Sequence, residues 1–220
     1  PMKHLQLDNS LYHYLINHGV REPMFLKLLR EETEKQALAK MMTPPEQAQF
    51  LVWLVQLTGA TRILELGTFT GYMTLWFALH LPVSGQVITC DIEDDTVNVG
   101  RKYWKQAGML NRIDFRFGPA LETLETLDKE NQKFSLIYLD ADKANLELYL
   151  ENAFPLLESN GILCVDNALW SGRVADPGVG DPDTNTIREV NRKLYKDPRF
   201  STTLLPIGDG LHLCRKKEKG

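Results

Sequence analysis

The apolar positions of the chain follow two different rhythms, which divide the sequence near residue 58. Before that point apolar residues recur at intervals of three and four, the spacing that places them on one face of a helix. The groups are Leu11, Tyr14 and Leu15, then Phe25, Leu28 and Leu29, then Phe50, Leu51, Leu54 and Leu57. We therefore predict helices over residues 8–57. The segment Thr43-Pro44-Pro45-Glu46 indicates a capped helix start with proline at the first helical positions.

From residue 61 onward, short apolar runs alternate with amphipathic segments. The runs are Arg62–Leu66, Gln86–Cys90, Ile113–Phe117, Ser135–Leu139 and Gly161–Val165. Such alternation predicts a mostly parallel sheet wrapped by helices. The last two runs, Thr202–Ile207 and Leu211–Arg215, are joined by a short glycine-containing turn. A turn of this kind forms a hairpin, so the last strand is predicted to be antiparallel to its partner.

The length of the chain suits one α/β domain, and its composition is that of a globular protein. The chain has 220 residues, of which 43% are hydrophobic and 25% charged. We expect one domain over 1–220, with a helical segment at 1–57 and an α/β core at 58–220.

Neither a membrane-spanning run nor a secretory signal is evident, which predicts a cytoplasmic protein with no membrane partner. Three separated cysteines, Cys90, Cys164 and Cys214, suit reduced core thiols. The net charge of −4 gives no drive toward nucleic acid.

Two apolar runs end on oxygen-bearing side chains. Asp140 follows the fourth predicted strand, and Asp166 and Asn167 follow the fifth. Alone, each would be interpreted as a helix cap or a turn residue. At the carboxyl ends of neighbouring parallel strands they would lie together at the edge where open α/β sheets bind ligands. Three hard oxygen donors suit a hard divalent cation, and Lys143, three residues after Asp140, adds a candidate base.

The loop after the first predicted strand is a candidate cofactor loop. It contains Gly67 and Gly71 but lacks the third glycine of a fingerprint that binds pyrophosphate. Asp91 ends the second strand about 20 residues later, where an acidic side chain accepts both hydroxyls of a ribose. A plain strand-to-helix turn and a solvated strand end are the alternatives. Together the two features favour a nucleoside cofactor without pyrophosphate, and hence S-adenosylmethionine.

Several motifs along the chain resemble one known family. They are Met42-Thr43-Pro44-Pro45-Glu46, Glu65-Leu66-Gly67, Thr70-Gly71-Tyr72, Asp140-Ala141-Asp142-Lys143, Asp166-Asn167-Ala168-Leu169-Trp170 and Leu205-Pro206-Ile207-Gly208-Asp209-Gly210. In these motifs the chain is similar to the cation-dependent O-methyltransferases, which include the caffeoyl-CoA and catechol enzymes. The resemblance implies a Rossmann-like, seven-stranded, mostly parallel sheet with an antiparallel C-terminal strand, helices on both faces and extra N-terminal helices. It also implies a homodimer.

The resemblance assigns site residues as well. S-adenosylmethionine would contact Thr43, Glu65, Gly67, Thr68, Asp91, Ala120, Asp140 and Asp142. Asp140, Asp166 and Asn167 would bind the cation, for which we expect Mg²⁺, with Mn²⁺ and Ca²⁺ as alternatives. One position departs from the plant enzymes, which place a cofactor-binding serine where this chain has Met73; the neighbouring Thr74 is the candidate replacement.

The expected reaction is methyl transfer to one hydroxyl of a catechol-like vicinal diol. A phenol is mostly protonated at neutral pH, so it must be ionised and placed in line with the methyl group. Lys143 would take the proton, because a neighbouring cation disfavours its charged form. The acceptor would be bordered by Trp170, Ser171 and Arg173, although Trp170 fits a core position and Arg173 a solvated loop equally well. Alternative acceptors are a CoA ester and hydroxyuridine in transfer RNA, and a binding module without catalysis is a further alternative.

Overall fold

A computed structural model describes residues 5–218. The α-helices are α1 (Asn9–Gly19), α2 (Met24–Thr33), α3 (Pro45–Thr58), α4 (Tyr72–His80), α5 (Asp94–Gln106), α6 (Ala120–Lys129), α7 (Leu146–Leu156) and α8 (Pro182–Lys196). The strands are β1 (Arg62–Leu66), β2 (Gln86–Asp91), β3 (Ile113–Phe117), β4 (Phe134–Leu139), β5 (Leu157–Val165), β6 (Phe200–Leu205) and β7 (Leu211–Lys216). Across the described range, none of the helices has the length and apolar character needed to cross a membrane.

The strands form a seven-stranded sheet in the order β3-β2-β1-β4-β5-β7-β6. The first five are mutually parallel, as the alternation of strands and helices predicted. β7 lies between β5 and β6 and runs antiparallel to both. The predicted fold class and the terminal hairpin are therefore confirmed. Strand β5 begins at Leu157 rather than Gly161, and β6 begins at Phe200 rather than Thr202.

Each face of the sheet carries its own hydrophobic core. Helices α2 to α5 cover one face, with Trp76 and Trp104 among its largest buried side chains. Helices α6 to α8 cover the other face. Strand β1 serves both cores, because Ile63 points to the first while Leu64 and Leu66 point to the second. The sheet is thus buried on both faces, and the polar residues Asp91, Asp140 and Asp166 lie at the carboxyl ends of its strands.

The N-terminal helices are confirmed, with one correction at the start of α3. The helix begins at Pro45, but Pro44 is the capping residue and no side chain caps the helix. The Thr43 hydroxyl instead lies 3.2 Å from the hydroxyl of Tyr138 on β4. Thr43 is therefore turned toward the sheet rather than toward its own helix, because its buried hydroxyl finds a partner there.

Candidate active site

The two acidic motifs meet at the carboxyl edge of the sheet. Leu66, Leu139 and Val165, the last residues of β1, β4 and β5, are aligned in register. The Asp140 amide donates to Leu66 O at 2.9 Å, and the Asp166 amide donates to Leu139 O at 3.0 Å. Strand pairing therefore continues by one residue and places both aspartates side by side, as the sequence predicted.

Lys143 joins the three expected ligand residues into one cluster. Its Nζ donates to Asn167 Oδ1 at 2.6 Å and to Ala141 O at 3.1 Å, and it lies 4.0 Å from Asp140 Oδ1. The side chain is 9% exposed. Lys143 Nζ is thus held against two of the oxygens that the sequence assigned to a cation.

Burial disfavours the ionised forms of the two aspartates in this cluster. Burial and the charge of Asp166 hold the pKa of Asp140 well above its usual range. Burial likewise raises the pKa of Asp166. Two neighbouring buried carboxylates are ionised together only when positive charge is supplied next to them. Carboxylate and amide oxygens are the donors that Mg²⁺, Mn²⁺ and Ca²⁺ accept, so the residues present fit a hard divalent cation.

Two side chains that the sequence reasoning missed support Asp166. Its Oδ2 accepts a hydrogen bond from Gln47 Nε2 at 2.8 Å and a second from the Tyr138 hydroxyl. Its Oδ1 accepts the Asn167 amide at 2.6 Å. A signal for Gln47 was available, because it occupies the same helical face as Leu51 and Val55, where a polar residue is out of place.

The segment after Asp166 has an unusual backbone. Asn167, Trp170 and Ser171 have φ values of 56°, 47° and 52°, in the left-handed region that side chains disfavour. Asp209, in the turn between β6 and β7, holds this segment by accepting from the Ser171 amide and from Asn167 Nδ2. The backbone oxygen of Asp209 accepts the Leu169 amide at 2.9 Å. The terminal hairpin therefore shapes the loop that carries Asn167, an expected cation ligand.

The expected acceptor residues lie on this same segment. Trp170 is partly buried against the second core, and its ring centroid lies 5.9 Å from Lys143 Nζ. It is thus both a packing residue and a neighbour of the candidate base. Ser171 is exposed. Arg173 is exposed as well, but its guanidinium pairs with Asp181 at 2.6 Å, at the start of α8. The guanidinium therefore already has an acidic partner in the protein.

The candidate cofactor loop packs directly on the acidic cluster. Gly67 has a φ of 96°, and a Cβ at that position would lie 2.1 Å from the backbone oxygen of Asp140. Asp91 Oδ2 accepts the amides of Thr68 and Phe69 at 2.9 and 2.8 Å, which fixes the loop. Asp91 therefore orders the loop, and its expected contact with a ribose stays a prediction.

Glu65 is buried beneath this loop. Its Oε2 accepts from the Thr89 hydroxyl at 2.7 Å and from the Thr74 hydroxyl. Burial raises the pKa of Glu65 to about 8. Thr74 was the candidate replacement for the family serine at Met73, but it is fully buried and its hydroxyl is directed to Glu65. In this structure the Thr74 hydroxyl supports the loop from below.

The remaining cofactor residues fall around the same edge. Ala120 begins α6, directly after a turn in which the Gly118 amide donates to Asp91 O at 2.9 Å. Asp142 is exposed and accepts from the Asn145 amide at 3.0 Å and from the Tyr149 hydroxyl, so it also stabilises the start of α7. Their contacts with S-adenosylmethionine stay predictions.

Comparison with known proteins shows the family of the chain. The profile of the O-methyltransferase family matches residues 16–217. The chain is 40% identical to the mouse catechol O-methyltransferase domain-containing protein 1, over 95% of this chain and 80% of that protein. It is 37% identical to a caffeoyl-CoA O-methyltransferase of Eucalyptus gunnii, over 97% of this chain and 90% of that protein.

Solved structures give the same result. An O-methyltransferase from Bacillus cereus in complex with S-adenosylhomocysteine superposes with a TM-score of 0.87 at 29% identity, covering 94% of this chain and 97% of that one. An O-methyltransferase from Streptomyces achromogenes in complex with S-adenosylmethionine gives 0.86 at 26% identity, covering 96% and 97%. The chain belongs to the O-methyltransferase family and is an S-adenosylmethionine-dependent O-methyltransferase of the caffeoyl-CoA and catechol type.

Proposed function

We propose that this enzyme methylates one hydroxyl of a vicinal diol on a small catechol-like molecule and that it requires a divalent cation. The observation that carries the proposal is the contact between Gly67 of the cofactor loop and the backbone of Asp140. This contact makes the methyl-donor loop and the acidic cluster adjacent. A site that bound only a nucleoside would not require Asp140, Asp166 and Lys143 beside the cofactor loop.

Asp140, Asp166 and Asn167 would hold the cation. When bound, it would supply positive charge that stabilises an ionised acceptor oxygen and fixes the orientation of the diol. The chain places its own groups accordingly: Gln47 and Tyr138 orient Asp166, and Asp209 orients Asn167. These outer hydrogen bonds hold the expected ligand residues in one conformation, which lowers the entropic cost of binding the cation.

Lys143 is the proposed base. In the reaction, the methyl carbon leaves the sulfonium sulfur and bonds to the acceptor oxygen, and the proton of that hydroxyl passes to Lys143 Nζ. The products are S-adenosylhomocysteine and a methyl ether. The position of Nζ, 2.6 Å from Asn167 Oδ1, keeps the base beside the expected cation ligands. Trp170, which borders Lys143, provides an apolar surface for a flat ring.

The test is a transfer assay with S-adenosylmethionine labelled in its methyl group. Acceptors are catechols, caffeoyl-CoA, flavonoids and unmodified or hydroxylated transfer RNA, each with Mg²⁺, with Mn²⁺ or with excess chelator. We expect label in the catechol-like acceptors only when cation is present. Full activity in chelator would refute the cation requirement, and label only in caffeoyl-CoA or in transfer RNA would replace the proposed acceptor class.

We also propose a homodimer, as the family resemblance implied. A cavity of about 620 Å³ lies between α1, α3 and the turn before β7, and apolar side chains including Leu7, Leu15, Phe50 and Trp53 line it. Trp53 and Leu57 on α3 are 54% and 66% exposed. Exposed apolar groups that cluster in this way are typical of an interface. Light scattering of the wild type and of Trp53→Lys tests this: we expect a dimer for the wild type and a monomer for the variant, and a wild-type monomer would refute the proposal.

A cytoplasmic location is part of the same proposal. Cys90, Cys164 and Cys214 are all free and buried, which suits a reducing compartment. Fractionation of the native cells, followed by detection of the protein with an antibody, would test it. Recovery of the protein outside the cytoplasmic fraction would contradict the expectation.

A further inference from the structure

The expected cation ligand Asp166 receives a hydrogen bond from a helix that is distant in sequence. Gln47 of α3 is fully buried, and its Nε2 lies 2.8 Å from Asp166 Oδ2 and 3.1 Å from the Tyr138 hydroxyl. A carboxylate accepts hydrogen bonds and donates none, so the nitrogen of the Gln47 amide faces Asp166. The orientation of the amide follows from this partner.

The oxygen of the same amide is left without a partner. Among the side chains of residues 5–218, Gln47 Oε1 is one of two buried polar atoms with no hydrogen bond. It faces the turn between β6 and β7, where a Cβ at Gly208 would lie 2.0 Å from it. An unpaired buried carbonyl destabilises a fold. The hydrogen bonds that Nε2 donates to Asp166 and Tyr138 therefore explain a glutamine at this position better than packing does.

We propose that Gln47 is a positioning residue for the cation site, which holds the carboxylate of Asp166 in its ligating orientation. The inference rests on the cation-dependent function proposed above. Oδ2 of Asp166 is fixed by Gln47 and by Tyr138, and Oδ1 is fixed by the Asn167 amide. Without Gln47, Oδ2 keeps the Tyr138 hydroxyl and Oδ1 keeps the Asn167 backbone amide, so the carboxylate loses one of these three donors and is held less firmly.

The arrangement also connects the N-terminal helices to the chemistry. From its position on α3, the amide of Gln47 reaches Tyr138 on β4, Asp166 after β5 and Gly208 in the terminal hairpin. Helix α3 packs its other buried residues, such as Leu51 and Val55, into the first core. The position of the core helix thus determines the position of a cation ligand.

The test measures cation affinity directly. Mn²⁺ is titrated into the protein without acceptor, and free Mn²⁺ is followed by electron paramagnetic resonance. Gln47→Met keeps the length of the side chain and removes the donor. Gln47→Asn keeps an amide but shortens the side chain. Because the loss of an outer hydrogen bond to a ligand costs about 10- to 100-fold in metal affinity, we expect that weakening in both variants.

Gln49 provides a matched control on the same helix. Its side chain accepts the Arg21 amide at 2.8 Å and is only partly buried. Gln49→Met should leave the Mn²⁺ affinity unchanged. All variants should bind S-adenosylhomocysteine within about twofold of the wild type, and raising the Mn²⁺ concentration should restore methyl transfer in the Gln47 variants. These two readouts separate a positioning role from general damage to the fold.

The outcomes are distinct. If the wild type binds Mn²⁺ and Asp140→Asn abolishes that binding, the proposed cation site stands whatever the Gln47 variants do. Unchanged Mn²⁺ affinity in both Gln47 variants would then overturn this inference alone. Equal losses of Mn²⁺ and S-adenosylhomocysteine affinity, or failure of both variants to fold, would assign Gln47 a purely structural role and overturn it as well. A wild type that binds no Mn²⁺ would overturn the proposed function and this inference together.

Discussion

The two halves of the active-site edge are built in different ways. In the cofactor half, Asp91 is held by the amides of Thr68 and Phe69, and these contacts span 23 and 22 residues. In the half that is proposed to bind a cation, called the cation half below, Asp166 is held by Gln47 across 119 residues of sequence. The first half is the local product of one β-α-β unit, whereas the second half needs the N-terminal helices and the terminal hairpin to be in place.

The halves also differ in how they compensate buried negative charge. Glu65 has a raised pKa and retains a proton under hydroxyl donors from Thr74 and Thr89. Asp140 and Asp166 lie beside Lys143 in a cluster whose donor atoms suit a cation. Uptake of a proton is sufficient for a supporting residue such as Glu65, but carboxylates that are proposed to hold a cation must stay ionised and need a positive charge beside them. The difference predicts that a substitution in one half can impair its function while the other half keeps its own.

The largest effect is expected in the cation half. Asp166→Asn preserves the shape of the side chain but removes the charge of one ligand. A metal contributes several kcal/mol to transition-state stabilisation, so we expect kcat/KM for a catechol acceptor to fall at least about 10³-fold. Affinity for S-adenosylhomocysteine, measured by calorimetry, should change by less than about threefold. A comparable loss in both quantities would show that the halves are not independent.

Replacement of the proposed base should have the next largest effect. A general base contributes about 10²- to 10⁴-fold, and Lys143→Ala should lower kcat by at least about 10²-fold at neutral pH. Steady-state assays of methyl transfer check kcat, and calorimetry checks that the cofactor still binds. Lys133→Ala, which removes a lysine that contacts Pro155 O far from this edge, is the control. Unchanged turnover in Lys143→Ala would remove Lys143 from the mechanism.

Damage to the cofactor half should show the opposite pattern. Asp91→Asn removes the charge-assisted hydrogen bonds that order the loop and the expected contact with a ribose. Hydrogen bonds to charged groups contribute about 1.5–3 kcal/mol, which predicts a loss of about 10- to 100-fold in affinity for S-adenosylhomocysteine. Mn²⁺ affinity should be unchanged. Asp94→Asn, at the exposed start of α5, serves as the control, and wild-type cofactor affinity in Asp91→Asn would contradict the assignment.

The last prediction concerns stability and pH. The pKa of Glu65 is raised to about 8 in the folded protein, whereas a glutamate in the unfolded chain titrates near pH ~4.3. Between these values the folded protein binds the extra proton, so its stability falls as the pH rises, by at most about 1.4 kcal/mol for each pH unit. Urea unfolding at pH 5 to 8 should show a shallower fall for Glu65→Gln than for the wild type. Equal slopes would show that Glu65 is ionised in the fold.

Much of the molecule was predictable because its signals are local. The strand order could not be read from apolar runs, but the runs themselves, the hairpin and the three oxygen donors at strand ends were visible. Asp140 and Asp166 came together as expected because residues that follow paired strands share an edge. Thr43 was wrongly assigned as a helix cap, since its partner Tyr138 lies 95 residues away and nothing near Thr43 indicates it.

The fold class, the acidic cluster with Lys143 and the candidate cofactor loop followed from the sequence alone, because each depends on periodicity or on residues at strand ends. How these groups are held became visible only in the folded structure. It showed that Gln47 supports Asp166, that Asp209 supports the loop of Asn167, and that Arg173 is paired with Asp181. Such contacts join side chains from separate elements, and their partners are set by packing of whole helices and strands, which no local pattern encodes.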